Sequence, residues 1–283
     1  FETRGTLNHK IICLVEGQYV EKRLSDLVWG DLVVVPRGQR MFGKDTRLDF
    51  VTPAYVRGRR PDSVKIPHQM TEDLAYVMGL LSGDGTCGYN GWGMLSSEDD
   101  QLLEEFDRLS MSLFGKVTEP IERVDRCRGR KLHGTTIRAF LEQAGLLKHK
   151  APDKRIPVSI RRAPEPYVIA YLQGLFDTDG SVDTRNVVSV SSSSQRLMQE
   201  VQVILANLGV IGSVRPKNEG SAWELEIRST AVDAFRSTVG FRLARKQAML
   251  AKHTPTIATP IWMSFQVSPA YCPRSKMKPF VAV

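Results

Sequence analysis

The sequence has no apolar run approaching the roughly 18–20 residues that a membrane-spanning helix requires. Its opening residues, FETRGTLNHK, also lack the basic-then-apolar order of a secretory signal. The expectation is an intracellular protein of the cytoplasm or nucleoid with no membrane partner. Cysteine is scarce and scattered: Cys13, Cys87, Cys127 and Cys272 form no C-x-x-C pair and have no histidine at zinc-ligand spacing. Neither a disulfide framework nor a zinc site is indicated, and packed thiols suffice. Acidic residues are the minority charge, 31 against 39 Lys and Arg, for a net charge of +8 over 283 residues. An apolar fraction of 42% is enough for two or three small domains with a real core.

The positive charge is unevenly placed. Between Lys116 and Arg162 there are thirteen Lys and Arg against five acids, an excess equal to the net charge of the whole chain. The same segment alternates in the manner of strands, as in IERVDRCRGRKLHG, so its cations can project from one face of a sheet. A polyanionic partner is the natural reading.

Two stretches repeat. EDLAYVMGLLSGDG and YVIAYLQGLFDTDG align Gly79 with Gly174, Leu80 with Leu175, Asp84 with Asp179 and Gly85 with Gly180, always at an offset of 95. The same offset sets SSEDDQLLEEF from Ser96 against SSSSQRLMQEV from Ser191. Such a long period, present only twice, indicates a pseudo-symmetric duplication rather than a solenoid. Each copy reads as helix, two strands, helix, two strands, helix. The second helices are expected at about Glu98 to Leu113 and Ser194 to Leu208, with Ser97 and Ser193 as N-caps.

Glycine within a helix costs about 1 kcal/mol relative to alanine, so Gly79 and Gly174 suggest that something approaches closely. If the two helices cross there, Asp84 and Asp179 emerge side by side, and two adjacent carboxylates favour a divalent cation. Taken singly, Asp-Gly is an ordinary helix stop; its doubling in register with a doubled fold favours the paired site.

LQGLFDTDG and the looser VMGLLSGDG resemble the paired motifs of LAGLIDADG homing endonucleases, with Ser82 departing from the usual pattern in the first copy. The resemblance runs from about Lys65 to Lys252. It implies an α+β fold: a pseudo-twofold LAGLIDADG core whose two sheets form a DNA-gripping saddle, accompanied by a small partial β-rich domain. The implied activity is site-specific, metal-dependent cleavage of both strands of a long DNA target by a monomer with internal pseudo-symmetry. Double-stranded DNA is the implied partner. Mg²⁺ is the implied cofactor, with Mn²⁺ able to substitute and Ca²⁺ supporting binding without cleavage. Asp84 and Asp179, with the backbone carbonyls of Gly83 and Thr178, are the implied metal ligands. Lys154 in KRIP and Lys246 in GFRLARKQAML are the implied lysines that orient water and offset phosphate charge. Arg123, Arg126, Arg128, Arg130 and Lys131 in the first half, and Arg215, Lys217 and Arg228 in the second, are the candidate DNA contacts.

Ahead of the repeat, HKIICLVEGQYVEKRL alternates around a turn at EGQ. The block Thr6, Asn8, His9, followed by Asp26, Leu27, Gly30, Asp31 and Val33, is similar to part of an intein (Hint) splicing domain. In that family the Thr and His act at the N-terminal splice junction. Here no nucleophile precedes Phe1 and no His-Asn pair ends the chain, so the block is expected to be idle. The boundaries expected are 1–62 for this β domain, 63–160 and 161–253 for the two halves, and 254–283 for a tail whose Trp262, Phe265 and Tyr271 could close the β domain. Two other readings stay open: a non-cleaving nucleic-acid-binding protein of maturase or regulator type, and a splicing element with an idle nuclease.

Overall fold

The computed structural model describes residues 2–3, 5–52, 54, 64–87, 92–122, 128–146, 151–252 and 280–281. Arg123, Arg126 and the tail residues Trp262, Phe265 and Tyr271 lie outside them. The chain begins with β1 (Glu2–Thr3), β2 (Lys10–Val15), β3 (Gln18–Arg23) and β4 (Leu32–Val33). Strands β2 and β3 form an antiparallel hairpin whose two turn residues, Glu16 and Gly17, both have positive φ. That is the twist-compatible geometry of a two-residue hairpin loop. β4 pairs with the other edge of β2, and Cys13, Leu24 and Val33 make a small separate core beneath the sheet.

The duplicated region follows. Its first copy comprises α1 (Glu72–Gly83), β5 (Gly85–Cys87), β6 (Trp92–Ser97), α2 (Asp100–Phe114), β7 (Glu119–Glu122), β8 (Arg128–His133) and α3 (Thr135–Gln143). A short helix, α4 (Val158–Arg162), leads into the second copy. That copy comprises α5 (Glu165–Asp179), β9 (Gly180–Val182), β10 (Val188–Ser192), α6 (Gln195–Asn207), β11 (Gly212–Lys217), β12 (Ala222–Ile227) and α7 (Thr230–Thr238). Helix α8 (Ala244–Ala251) comes next, and β13 (Phe280–Val281) pairs antiparallel with β1. Both four-stranded sheets have the same antiparallel order, β5-β6-β8-β7 in one and β9-β10-β12-β11 in the other.

The expected caps moved by one or two residues. Asp99 accepts from Gln101 N at the start of α2, and Ser194 accepts from Leu197 N at the start of α6. These two residues are again 95 apart. Ser97 Oγ instead accepts from Asp99 N, holding the turn just before the cap.

Why α1 and α5 run through the centre is plain from their composition. Leu74 to Gly83 are all buried, because the apolar residues encircle α1 rather than forming a stripe. By contrast α2 buries Leu102, Leu103, Phe106, Leu109 and Leu113 on one face and leaves the other wet. One hydrophobic core runs through both halves, from Leu74 and Leu95 to Leu225 and Leu250. The segment after β4 lies across it: Gly38 N and Arg40 N donate to Ala206 O and Asn207 O, and Asp45 N donates to Arg162 O. Val51 N then donates to Gln143 Oε1 at the end of α3.

At the crossing of α1 and α5 the two backbones touch. A Cβ built on Gly79 would stand 2.1 Å from Tyr171 O, and one on Gly174 would stand 2.3 Å from Tyr76 O. Neither neighbour is a flexible side-chain tip, so the helices must separate to admit a methyl group. Gly79→Ala should therefore lower the unfolding free energy read from urea titration by on the order of 1–3 kcal/mol, as over-packing of a filled core does, and lower the urea midpoint with it. An unchanged midpoint would show that the helices are not in backbone contact.

Candidate active site

Both central helices end on Asp-Gly and turn at once into the first strand of their sheet. A Cβ on Gly85 would lie 2.1 Å from Leu81 O, and one on Gly180 would lie 2.4 Å from Phe176 O. Only glycine fits the turn from helix to strand. The preceding aspartates are therefore held where the two sheets begin. The ends also meet each other, since a Cβ on Gly83 would stand 2.0 Å from Thr178 Oγ1 and 3.2 Å from Asp179 Oδ2.

Each helix end carries its own lysine. Lys154 Nζ donates to Gly83 O at 2.7 Å. Lys246 Nζ reaches the carbonyls of Phe176 (3.0 Å), Asp177 (2.7 Å), Thr178 (3.1 Å) and Gly180 (2.5 Å). A helix C-terminus concentrates partial negative charge, and an ammonium group there is favourable. Lys246 is 7% exposed, far from the solvated lysine that its residue type suggests. Burial lowers its pKa to about 8, with Asp177 and the two motif aspartates pulling the other way and Arg245 adding to the fall.

Both aspartates are shifted upward, chiefly by burial. Burial, reinforced by the nearby charge of Asp84, raises Asp179 to about 7, against the pull of Lys154 and Lys246. Asp84 is exposed at the rim, yet the surrounding protein still raises its pKa, again opposed by both lysines. Among the described residues no group of three or more His, Cys, Asp or Glu is placed to hold a metal ion. The donor set is instead two carboxylates with adjoining carbonyl oxygens, which are hard ligands suited to Mg²⁺, Mn²⁺ or Ca²⁺. The carbonyls of Gly83 and Thr178 already accept from the lysines, and each retains a second lone pair.

Beneath this surface the two halves differ. Asp177, 3% exposed, accepts from Tyr76 Oη at 2.7 Å, from Arg242 N at 3.1 Å and from Leu243 N at 3.2 Å. The Arg242 guanidinium lies 4.4 Å from the centre of the Tyr76 ring. At the equivalent place Ser82 Oγ turns back to donate to Met78 O at 2.8 Å. The Tyr171 hydroxyl, fully buried nearby, makes no hydrogen bond of good geometry among the described residues, with Ser82 the side chain that bears on it. Asp177 and Arg242 are site residues beyond those expected from the sequence; the signal for Asp177 is the first acid of the DTD triplet, which has no counterpart in SGD.

Strand parity sorts the candidate DNA contacts. In β8 the core residue Leu132 shares a face with Arg130 and Arg128. Both arginines accordingly turn toward α2, Arg130 Nε to Asp107 at 2.7 Å and Arg128 to Asp100. Lys131 occupies the other face. In the second half Leu225 and Ile227 point to the core, which puts Arg215, Lys217 and Arg228 on the opposite face with Glu224 and Glu226. Glu226 pairs with both Arg215 and Arg228, and Lys217 Nζ lies 2.8 Å from Glu224. Thr6, Asn8 and His9 are exposed in the turn before β2, where His9 N donates to Thr6 O.

Among the described residues no helix is long and apolar enough to cross a membrane. Comparison with known proteins gives relatives among curated sequences and among solved structures. The chain is 26% identical over 262 residues to a probable translation initiation factor IF-2 of Thermococcus kodakarensis, covering 87% of this chain and 22% of that protein. It is 24% identical over 251 residues to the ribonucleoside-diphosphate reductase NrdEB subunit alpha of Bacillus subtilis, covering 78% and 20%. The chain thus spans about a fifth of the length of these curated relatives. Among solved structures, a variant of the homing endonuclease I-DmoI shares the fold, with TM-score 0.50 and 17% identity over 64% of this chain and 98% of that one. Residues 166–240, the second half that carries α5 and Asp179, match the family model of the LAGLIDADG-like domain.

Proposed function

We propose that the chain is a site-specific, metal-dependent double-strand DNA endonuclease acting as a monomer. The observation that carries this reading is the meeting of two Asp-Gly helix ends, each carbonyl-capped by its own lysine. One chain supplies both aspartates, so no second copy is needed. Asp84 and Asp179, with the free lone pairs of Gly83 O and Thr178 O, are the residues that would hold Mg²⁺ or Mn²⁺. Such an ion supplies charge neutralisation at a phosphate and an acidified water when bound. Lys154 and Lys246 place positive charge beside the carboxylates, where a phosphate's developing charge is met. Lys246 Nζ, with a pKa of about 8, can exchange a proton at working pH. Lys131, Arg215, Lys217 and Arg228, on the sheet faces turned from the core, supply phosphate and base contacts.

Two features support an origin as an inserted element. The chain resembles a fifth of each of two proteins with unrelated chemistries, a translation factor and a reductase. Residues 6–33 also carry the block similar to a splicing domain, folded as the β2–β4 sheet. This block is read as part of an intein.

The direct test selects from a random duplex library in Ca²⁺ and then adds Mg²⁺. Wild type should cut both strands of the recovered duplex, whereas Asp179→Asn and Asp84→Asn should bind it and leave it uncut. Binding without cleavage in any divalent metal would leave a DNA-binding protein instead.

The raised pKa of Asp179 fixes the sign of a pH effect. The folded state takes up this proton near pH 7 and the unfolded chain only in the ordinary carboxylate range. In metal-free protein, this group's penalty on folding is therefore full above pH 7 and relieved as pH falls below it. Asp179→Asn should raise the metal-free urea midpoint more at pH 8 than at pH 5. The thermal shift produced by Ca²⁺ in wild type should follow the opposite course, large at pH 8 and lost as the proton displaces the ion below pH 7. Ca²⁺ shifts that are equal at both pH values would remove Asp179 from the ligand set.

Glu226→Gln releases Arg215 and Arg228 from their shared acid. Binding to non-target duplex should tighten, with a salt dependence steeper by up to about two released counterions. An unaltered salt slope would place that sheet face away from DNA.

A further inference from the structure

The two lysines are held to the helix ends by different elements. Lys246 sits one turn into α8, whose N-cap residue, Leu243, makes no side-chain cap hydrogen bond. The start of α8 is fixed by Asp177, which accepts from the backbone N–H groups of both Arg242 and Leu243, together with Gln101 Oε1, which accepts from Ala244 N at 3.0 Å. The Asp177 bonds run from the last turn of α5 to the segment whose lysine returns to the same turn. Lys154 precedes α4 and depends on another carboxylate. Glu200, on α6, accepts from Ile156 N at 2.9 Å and from Arg155 Nε at 2.9 Å, while Ser194 Oγ donates to Lys154 O at 2.7 Å. Each lysine segment is thus fastened by an acid that makes backbone hydrogen bonds within four residues of it, and neither acid belongs to the aspartate pair.

We propose that Asp177 and Glu200 are positioning residues, the first fixing the Lys246 segment and the second the Lys154 segment, so that each governs cleavage of one strand. The strand assignment rests on the endonuclease reading; the fastening does not. Asp177 keeps its place through Tyr76, whose hydroxyl donates to Oδ2 at 2.7 Å and whose ring supports Arg242. Glu200 takes up Arg155 and the Ile156 amide together, one with each carboxylate oxygen. Replacing either carboxylate by its amide keeps the shape and swaps one acceptor oxygen for a donor. One lysine segment loosens, and the other retains all its contacts.

Two measurements decide the matter. Hydrogen exchange on metal-free protein reads the fastening directly: Asp177→Asn should speed exchange at Arg242 and Leu243 alone, and Glu200→Gln at Ile156 alone. Cleavage in Mg²⁺ of the selected duplex, with its strands separately labelled, reads the consequence. Asp177→Asn should slow one strand by about ten- to a hundredfold, the scale of a misplaced catalytic group, and accumulate nicked duplex. Glu200→Gln should nick the opposite strand. General destabilisation would slow both strands alike, and that result, or slowing of the same strand by both variants, overturns the proposal. Unchanged exchange at the named amides overturns it too, whether or not DNA is cut. A wild type that cuts neither strand sinks the endonuclease reading and the strand assignment with it, and the exchange pattern then decides the fastening alone.

Discussion

Everything at the centre of this molecule depends on the backbone contact between Gly79 and Gly174. Two helices with side chains at those positions would stand further apart, and their C-termini would diverge. With glycine at the crossing, the helices carry Gly83 against Thr178 and Asp179. The cost of mid-helix glycine is recovered as proximity of two chain segments that lie 95 residues apart. The sheets inherit that symmetry, because each begins at the glycine that ends its helix.

Proximity creates an electrostatic problem. Two helix C-termini, each with unpaired carbonyls, converge with two carboxylates, so every partial and full charge at the meeting point is negative. Burial is the larger cause of the raised pKa of Asp179, and the charge of Asp84 adds to it. Lys154 and Lys246 answer part of the problem by donating to the carbonyls, which leaves the carboxylates themselves without a hydrogen-bonded cation among the described residues. On the endonuclease reading, a divalent ion would be held by this donor set, with the lysines committed to the backbone rather than to the aspartates.

Much of this was legible in the sequence. The order of elements in each copy follows from two hydrophobic periods and from punctuation by Asp-Gly, Ser and Gly, and the offset of 95 makes the second copy a check on the first. The close approach of α1 and α5 could be anticipated because glycine inside an apolar helix has few other reasons to be there. The caps were misplaced because Ser96, Ser97, Glu98 and Asp99 all offer oxygens, and helix geometry selects among them only when the chain is folded. The faces of Arg128 and Arg130 were not legible either. Alternation shows that β8 has two sides, but which side meets α2 depends on the register against β6, where Leu95 stands opposite Arg130. The Asp177 hydrogen bonds join residues 65 or more positions apart, and local pattern carries no trace of such a contact.

The same register explains how basic residues come to be matched by acids on the second sheet. Glu224 and Glu226 alternate with the core residues Leu225 and Ile227, and the partner strand puts Arg215 opposite Glu224, with Arg215 and Lys217 reaching Glu226 and Glu224 diagonally. A bare cationic face would hold any duplex by its phosphates, whatever the sequence. Acids that already engage those cations weaken this indiscriminate attraction and fix the direction of each guanidinium. On the proposed function, a duplex would gain most where it offers each side chain a better partner than its glutamate, and base edges in a groove can do so selectively. Charge on such a face is a matter of which pairs can be exchanged, and the net positive total understates how much of it is already spoken for.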